Sequence, residues 1–314
     1  MILLLGSTGY IGSAFKSALI DRNENFTSLS HIECSSFKFL YNYLEKNRPS
    51  FIINAAGYTG KPNVDACEID KVGTLRGNVV FPQILSQACS LLNIPWGHVS
   101  SGCIFAGCQV NISNEWIIEK DMTLSYIRNL AKYSPEKLRG FTEDISPNFS
   151  FNTPPCSFYS GTKALSEEII QDNGNCYIWR LRIPFDEFDN NRNYLSKIQR
   201  YSKVYDNLNS LSHRSDFVNA CLDSWLHKIP FGIYNITNPG FISTENVVEM
   251  IKIILKPKRE FIYWENDKEF YTSDAIAPRS NCIMDSSKII NTGVKLRSVE
   301  SALEDSLLSW VKEL

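Results

Sequence analysis

Tyr159 and Lys163 stand four residues apart in Tyr159-Ser-Gly-Thr-Lys163. Side chains at that spacing share one face of a helix. A lysine ammonium beside a phenol favours the phenolate and draws its pKa down from about 10. A tyrosine so placed can hand a proton to a carbonyl oxygen that is receiving a hydride. The pair alone describes many solvated helix faces; it gains meaning from Gly6-Ser-Thr-Gly9-Tyr-Ile-Gly12 near the N-terminus. Glycines there let the backbone turn tightly and approach a pyrophosphate, while the N-terminus of the following helix offers free N–H groups and a positive dipole end. Gly6, Thr8, Gly9, Tyr10, Ile11 and Gly12 are therefore candidate dinucleotide-binding residues.

Such residues need elements to hold them. Short apolar runs at 1–6, 26–29, 51–57, 95–104 and 176–183 read as strands, the first buried on both faces and the third ending in small residues. Residues 10–20, 37–45, 79–92 and 158–171 show helical character, with Ile11, Phe15, Ala18 and Leu19 along one side of the first. This alternation has the cadence of βαβ units and predicts an α/β fold, a Rossmann-type doubly wound parallel sheet. Residues 108–139 break the cadence and read as an insertion with a helix at 122–130. Beyond Pro184 the rhythm changes to short strands at 232–236 and 260–264 among helices at 244–255 and 299–314. The expected division is an NAD(P)-binding domain over 1–184 and a smaller α/β cap over 185–314, with some cap segments returning to the first domain. The end of the second strand reads Ser28-Leu-Ser-His31-Ile-Glu33. No carboxylate sits at the strand end to take a ribose 2′-hydroxyl, which favours NADP(H) over NAD(H), with His31 a weakly basic candidate there.

Composition narrows the partners. The chain has 314 residues, 43% hydrophobic and 21% charged, which excludes a disordered chain. A net charge of −2 without a basic domain argues against nucleic acid. The nine cysteines are odd in number, evenly spread and free of CxxC pairs, and there are only four histidines. Neither a disulfide framework nor a metal site is expected, but rather free thiols in a reducing compartment. No stretch approaches the roughly 20 apolar residues of a membrane span, and no targeting pattern is visible. The expectation is a soluble cytoplasmic protein with a small-molecule partner.

Further motifs carry a resemblance. Asn54-Ala-Ala-Gly57 follows the third strand, then come Tyr58-Thr-Gly-Lys-Pro-Asn-Val-Asp-Ala-Cys-Glu68, Gly102-Cys103-Ile-Phe105, Gly140-Phe-Thr-Glu-Asp-Ile-Ser-Pro-Asn-Phe149, Asn193-Tyr-Leu-Ser-Lys197-Ile and Ala277-Pro-Arg-Ser-Asn281. With the glycine loop and the Tyr-Lys pair, the set resembles the extended short-chain dehydrogenase/reductase family. Within it the chain is similar to the nucleotide 4-keto-6-deoxysugar 3,5-epimerase/4-reductases of rhamnose synthesis, and more distantly to the dTDP-4-dehydrorhamnose reductases. The resemblance implies cofactor contacts from Asn54, Ala55, Ala56, Tyr58, Tyr159 and Lys163. It implies a catalytic set of Ser101 at the substrate carbonyl, Cys103 and Lys197 as the epimerase acid/base pair, and Tyr159 with Lys163 for the reduction. Arg279 and Arg214 are candidates for the substrate diphosphate, since arginine presents a planar fork of donors; Asn193 is a further substrate candidate. The implied ligand is a UDP-, dTDP- or GDP-linked sugar, and the implied assembly a homodimer. Gly102 and Cys103 stand where dehydratase relatives carry an Asp-Glu pair, which argues against 4,6-dehydration. Two other readings stay open: a 4-epimerase or 4-reductase that leaves C3 and C5 alone, and a non-catalytic NADP-binding regulatory subunit.

Overall fold

The computed structural model describes residues 1–30 and 36–311. Its centre is a six-stranded, all-parallel sheet of β1 (Ile2–Leu5), β2 (Phe26–Leu29), β3 (Phe51–Asn54), β4 (Trp96–Ser101), β5 (Cys176–Leu181) and β6 (Gly232–Asn235), in the spatial order β2-β1-β3-β4-β5-β6. β1 has β2 on one side and β3 on the other, so the strand order reverses there. In open α/β sheets ligands bind beyond the carboxyl ends of the strands at such a point.

The sheet is parallel because both its faces are covered. Ile2 and Leu4 point to one face, where Phe15 and Leu19 of α1 (Tyr10–Asp21) meet Trp179 and, in α5 (Arg214–Leu226), Phe217 and Cys221. Leu3 and Leu5 point to the other, against Leu40 and Leu44 of α2 (Phe37–Asn47) and Leu85 of α3 (Phe81–Leu92). The first residues of α4 (Phe158–Ile170) reach the carboxyl end of β4, and its last residue, Ile170, joins this second core.

Residues 108–139 fold as a hairpin, Cys108–Ile112 against Glu115–Glu119, with a third strand at Leu138–Arg139 and a helix at Ser125–Tyr133. The expected helix at 122–130 begins three residues later because the Asp121 carboxylate accepts from the Thr123 N–H and hydroxyl, holding that stretch in a turn.

The cap is built from short strands and helices around Leu195, Ile198, Val247, Val248, Val299 and Leu303. The run at 232–236 supplies the sixth strand of the central sheet, and α5 packs on α1. A second segment returns as well: Ser280 and Cys282 donate to the carbonyls of Phe105 and Gly102, and Gly107 pairs with Cys282 and Phe141 with Met284. The chain past 280 thus braces the turn that follows β4. Among the described residues no helix is long and apolar enough to cross a membrane, and no cluster of three or more His, Cys, Asp or Glu could hold a metal ion.

Candidate active site

The loop after β1 is shaped by what its glycines lack. Gly6 has φ +80°, and a Cβ on it would strike the backbone of Ala56; a Cβ on Gly12 would collide with the Gly6 carbonyl. Gly9 is the N-cap of α1 and brings no side-chain acceptor to the first turn. The N–H groups of that turn are thus left for an anion. This arrangement fits the diphosphate of a dinucleotide. Gly9, Tyr10, Ile11, Ala55 and Ala56 line one end of a cleft of about 570 Å³. Gly6, Thr8 and Gly12 are not on its wall; Gly6 and Gly12 give the loop its shape. Tyr58 is also off the wall: its backbone N–H and carbonyl bond Asn78, and its phenol meets Asp70. His31 lies outside the described residues.

Deeper in the cleft, the carboxyl end of β4 and the start of α4 bring Ser101, Cys103, Tyr159, Ser160 and Lys163 together. β4 ends in a single 3₁₀ turn, Gly102–Ile104, which the Ser101 hydroxyl caps by accepting from the Cys103 N–H at 3.2 Å. The same hydroxyl is a hydrogen-bond partner of the Tyr159 phenol and of the Cys103 thiol, and Ser160 reaches that thiol too. Burial pushes the Cys103 thiol up, against the pull of Ser101, Ser160, Arg182 and Lys163. Burial also raises the Tyr159 phenol, the opposite of the fall expected from the Tyr-Lys spacing. Lys163 goes the other way: burial in the interior lowers it to about 8. Its Nζ lies 3.0 Å from the Val99 carbonyl and 3.2 Å from His98 Nε2.

The facing wall comes from the cap. Tyr194, Lys197 and Tyr201 project from one short helix (Tyr194–Arg200) and the residue after it, with Trp264, Phe270 and Arg279 beyond. Lys197 has no hydrogen-bond or carboxylate partner among the described residues, and burial together with Arg192 and Arg279 lowers its pKa. Arg279 forms a two-pronged pair with Asp65, both contacts 2.7 Å. Burial raises the Asp65 carboxyl, but the Arg279 bonds and the Ala277 N–H outweigh it and leave it low.

Two expected substrate contacts lie elsewhere. Arg214 donates to the Tyr10 carbonyl, Asp186 and the Ser13 hydroxyl at 2.6–2.7 Å and stacks 4.4 Å from the Tyr10 ring centroid. Three of its donors tie α1 to the buried Asp186, so it braces the glycine loop from behind. Asn193 is fully buried; its amide donates to the Asp186 and Phe188 carbonyls and accepts from the Leu195 N–H, capping the helix that carries Lys197. Arg214→Leu accordingly leaves Asp186 buried and unpaired and costs about 3–5 kcal/mol of stability, read by urea unfolding, while the sugar-nucleotide KM of the folded enzyme stays near the parent value. A large KM rise with unchanged stability would place Arg214 at the substrate after all.

Other residues came to light only in three dimensions. Arg182, at the end of β5, lines the cleft and donates to Asn209 and to the Ser280 carbonyl. Arg192 lines it too, donating to Thr59 at 3.1 Å. His98 lies beneath the floor, fully buried, between Asn54 and Lys163. None belongs to a spaced motif; the only signal for His98 was a polar ring between the apolar Trp96 and Val99.

Comparison with known proteins gives these contacts a setting. The family model described as the RmlD substrate binding domain matches residues 1–139. A bifunctional dTDP-4-dehydrorhamnose 3,5-epimerase/dTDP-4-dehydrorhamnose reductase of Arabidopsis thaliana is 30% identical over 303 residues, 96% of this chain and 90% of the plant protein. A trifunctional UDP-glucose 4,6-dehydratase/UDP-4-keto-6-deoxy-D-glucose 3,5-epimerase/UDP-4-keto-L-rhamnose-reductase of the same plant is 30% identical over 302 residues, and the chain spans 40% of its length. The crystal structure of a UDP-rhamnose synthase from Acanthamoeba polyphaga mimivirus shares the fold with a TM-score of 0.82 at 21% identity over 98% of both chains. A dTDP-4-dehydrorhamnose reductase of Bacillus anthracis, solved in complex with NADP, shares it at a TM-score of 0.73 and 17% identity, over 98% of this chain and 96% of that one.

Proposed function

The chain belongs to the RmlD substrate-binding family, and on that footing we propose that it reduces the C4 ketone of a nucleotide-linked 4-keto-6-deoxyhexose, after inverting C3, C5 or both in the same cleft. The observation that carries this reading is the meeting of Ser101, Cys103, Tyr159 and Lys163 with Lys197 of the cap on one cleft. Residues 1–184 then serve mainly the cofactor and 185–314 mainly the sugar nucleotide.

A bound nicotinamide dinucleotide supplies the hydride. Ser101 and Tyr159 hold the C4 oxygen, and Tyr159 gives its proton to that oxygen as the ketone becomes an alcohol. For the inversions, the C4 ketone acidifies the hydrogens on C3 and C5. A thiolate can remove such a hydrogen and a lysine ammonium can return one. The environment favours the reverse order for the first inversion, because burial keeps Cys103 a thiol and makes Lys197 easier to deprotonate. The Lys197 amine takes the carbon-bound proton, the electron pair enters the enolate, and the Cys103 S–H delivers a proton to the opposite face. The pair is left as ammonium and thiolate, and exchange with water through the cleft resets it.

NADPH is the expected reductant, supported by the carboxylate-free Ser28-Leu-Ser30 end of β2. The dTDP and UDP names of the relatives support a pyrimidine nucleotide over GDP. Pairing of two copies through α3 and α4 is supported by exposed Val72, Val80 and Ile169 on that side. A cytoplasmic setting is supported by eight free thiols among the described residues. The test is incubation with NADPH or NADH and dTDP- or UDP-4-keto-6-deoxyglucose. Loss of reduced-nicotinamide absorbance with formation of a 6-deoxyhexose product is the expected result. Cofactor binding without turnover of either substrate would instead point to the regulatory reading.

A further inference from the structure

Asn54 and His98 do not line the cleft, yet they form an ordered line of donors that ends on Lys163. The orientation of the Asn54 amide is set by its surroundings. The Ala56 N–H donates to Asn54 Oδ1 at 3.1 Å, so Nδ2 must be the atom that faces His98 Nδ1 at 3.0 Å. An amide nitrogen can only donate, so His98 Nδ1 is an acceptor. Burial holds the imidazole neutral, far from solvent and next to Lys163. Its one proton is therefore on Nε2, and that N–H points at Lys163 Nζ, 3.2 Å away. An ammonium has no lone pair to receive it. A neutral amine accepts from Nε2–H and still donates to the Val99 carbonyl at 3.0 Å.

We propose that His98, held in its Nε2–H tautomer by Asn54, is a positioning residue that stabilises the neutral amine of Lys163 and so makes Lys163 the proton source from which Tyr159 is recharged. This rests on the reading of Tyr159 as the proton donor to C4. The proton balance closes: the phenol proton goes to the C4 oxygen, an ammonium proton of Lys163 replaces it, the resulting amine is met by His98 Nε2–H, and water in the cleft restores the ammonium. The other titratable groups acting on Lys163 are Cys103 from the turn after β4 and Glu167 one helical turn on; both favour the ammonium. The donor line opposes them, together with burial.

Nitrogen NMR of the wild-type imidazole tests the tautomer without any turnover: Nδ1 unprotonated and Nε2 protonated at neutral pH is expected, and a proton on Nδ1 overturns the proposal. Lysine NMR titration then reads Lys163 directly. His98→Leu removes the donor, so the Lys163 midpoint rises by at least half a pH unit. His98→Gln restores the wild-type midpoint, since its Oε1 can accept from Asn54 while Nε2 donates to Lys163. The alkaline limb of kcat/KM shifts with these midpoints. A folded His98→Leu protein with an unshifted Lys163 midpoint sinks the idea. If His98→Leu does not fold, the wild-type tautomer decides alone. If no keto-sugar is reduced by the wild type, the Tyr159 reading fails, whereas the tautomer and titration results still judge the donor line separately.

Discussion

Tyr159→Phe lowers kcat for ketone reduction by about 10²–10⁴-fold, the usual worth of a positioned proton donor. Cofactor affinity, read by quenching of protein fluorescence, stays within a few-fold of the parent. The asymmetry follows from geometry. The phenol shares the Ser101 hydroxyl at the end of β4, at the reacting end of the cleft. The proposed diphosphate site, the Gly6–Gly12 loop, is formed by other residues. The phenyl ring keeps the packing of Tyr159 against the Cys103–Phe105–Met284 cluster, so the substitution removes an O–H and little else. Loss of cofactor binding in step with kcat would show that Tyr159 holds the dinucleotide and supplies no proton. Below the Lys163 midpoint of about 8 the lysine is an ammonium that can recharge the tyrosine; as pH rises through that midpoint the ammonium is lost and the rate falls.

Cys103→Ala separates the two halves of the chemistry. In deuterated water the wild type exchanges hydrogen at C3, C5 or both of the keto-sugar before reduction. The variant exchanges at least 100-fold more slowly, in keeping with the about 10²–10⁴-fold worth of a general acid or base, yet still oxidises NADPH when given an already inverted 4-keto sugar. Cys103 is nearly buried beside Ser101 and Ser160, so alanine leaves a small gap and no unpaired charge. Lys197→Met gives the same pattern from the opposite wall. Undiminished deuterium entry in Cys103→Ala would remove the thiol from the mechanism and leave a simple C4 reductase.

The parts of this molecule legible in one dimension were those with local causes. The glycine loop is written at Gly6 and Gly12 because a side chain there would strike backbone. β1 was readable as a doubly buried run and β3 as an apolar strand, and the helical spacing of α1 and α4 placed their faces. Cys103 and Lys197 acquired roles only through family resemblance, since a small thiol and a lone lysine have no periodic signature. What escaped was decided by distant partners. Arg214 and Arg182 look alike in sequence, yet one is spent on Asp186 and the other opens on the cleft. The insertion hairpin was hidden because Trp116-Ile117-Ile118 is a continuous apolar run, not an alternating one, and its turn rests on Ser113 and Asn114 with φ of +53° and +69°. β6 was recognised as a strand, but only its pairing with β5 places it in the central sheet.

The brace that residues past 280 place on the Gly102–Ile104 turn also has a consequence in time. A polypeptide emerges from its N-terminus, and Cys103 leaves the ribosome about 180 residues before Cys282 and Met284. At about 5–20 residues per second that is an interval of roughly 10–40 seconds. The glycine loop, β1 to β5 and the Tyr-Lys helix are all complete during it, so a nascent chain can fold a dinucleotide site early. The turn that carries Cys103 meanwhile lacks the Cys282 and Met284 side chains that pack with it in the finished fold. Completion of the Cys103 side of the cleft is thus tied to the last tenth of translation, and a chain ended upstream of 280 lacks the segment that braces the Gly102–Ile104 turn.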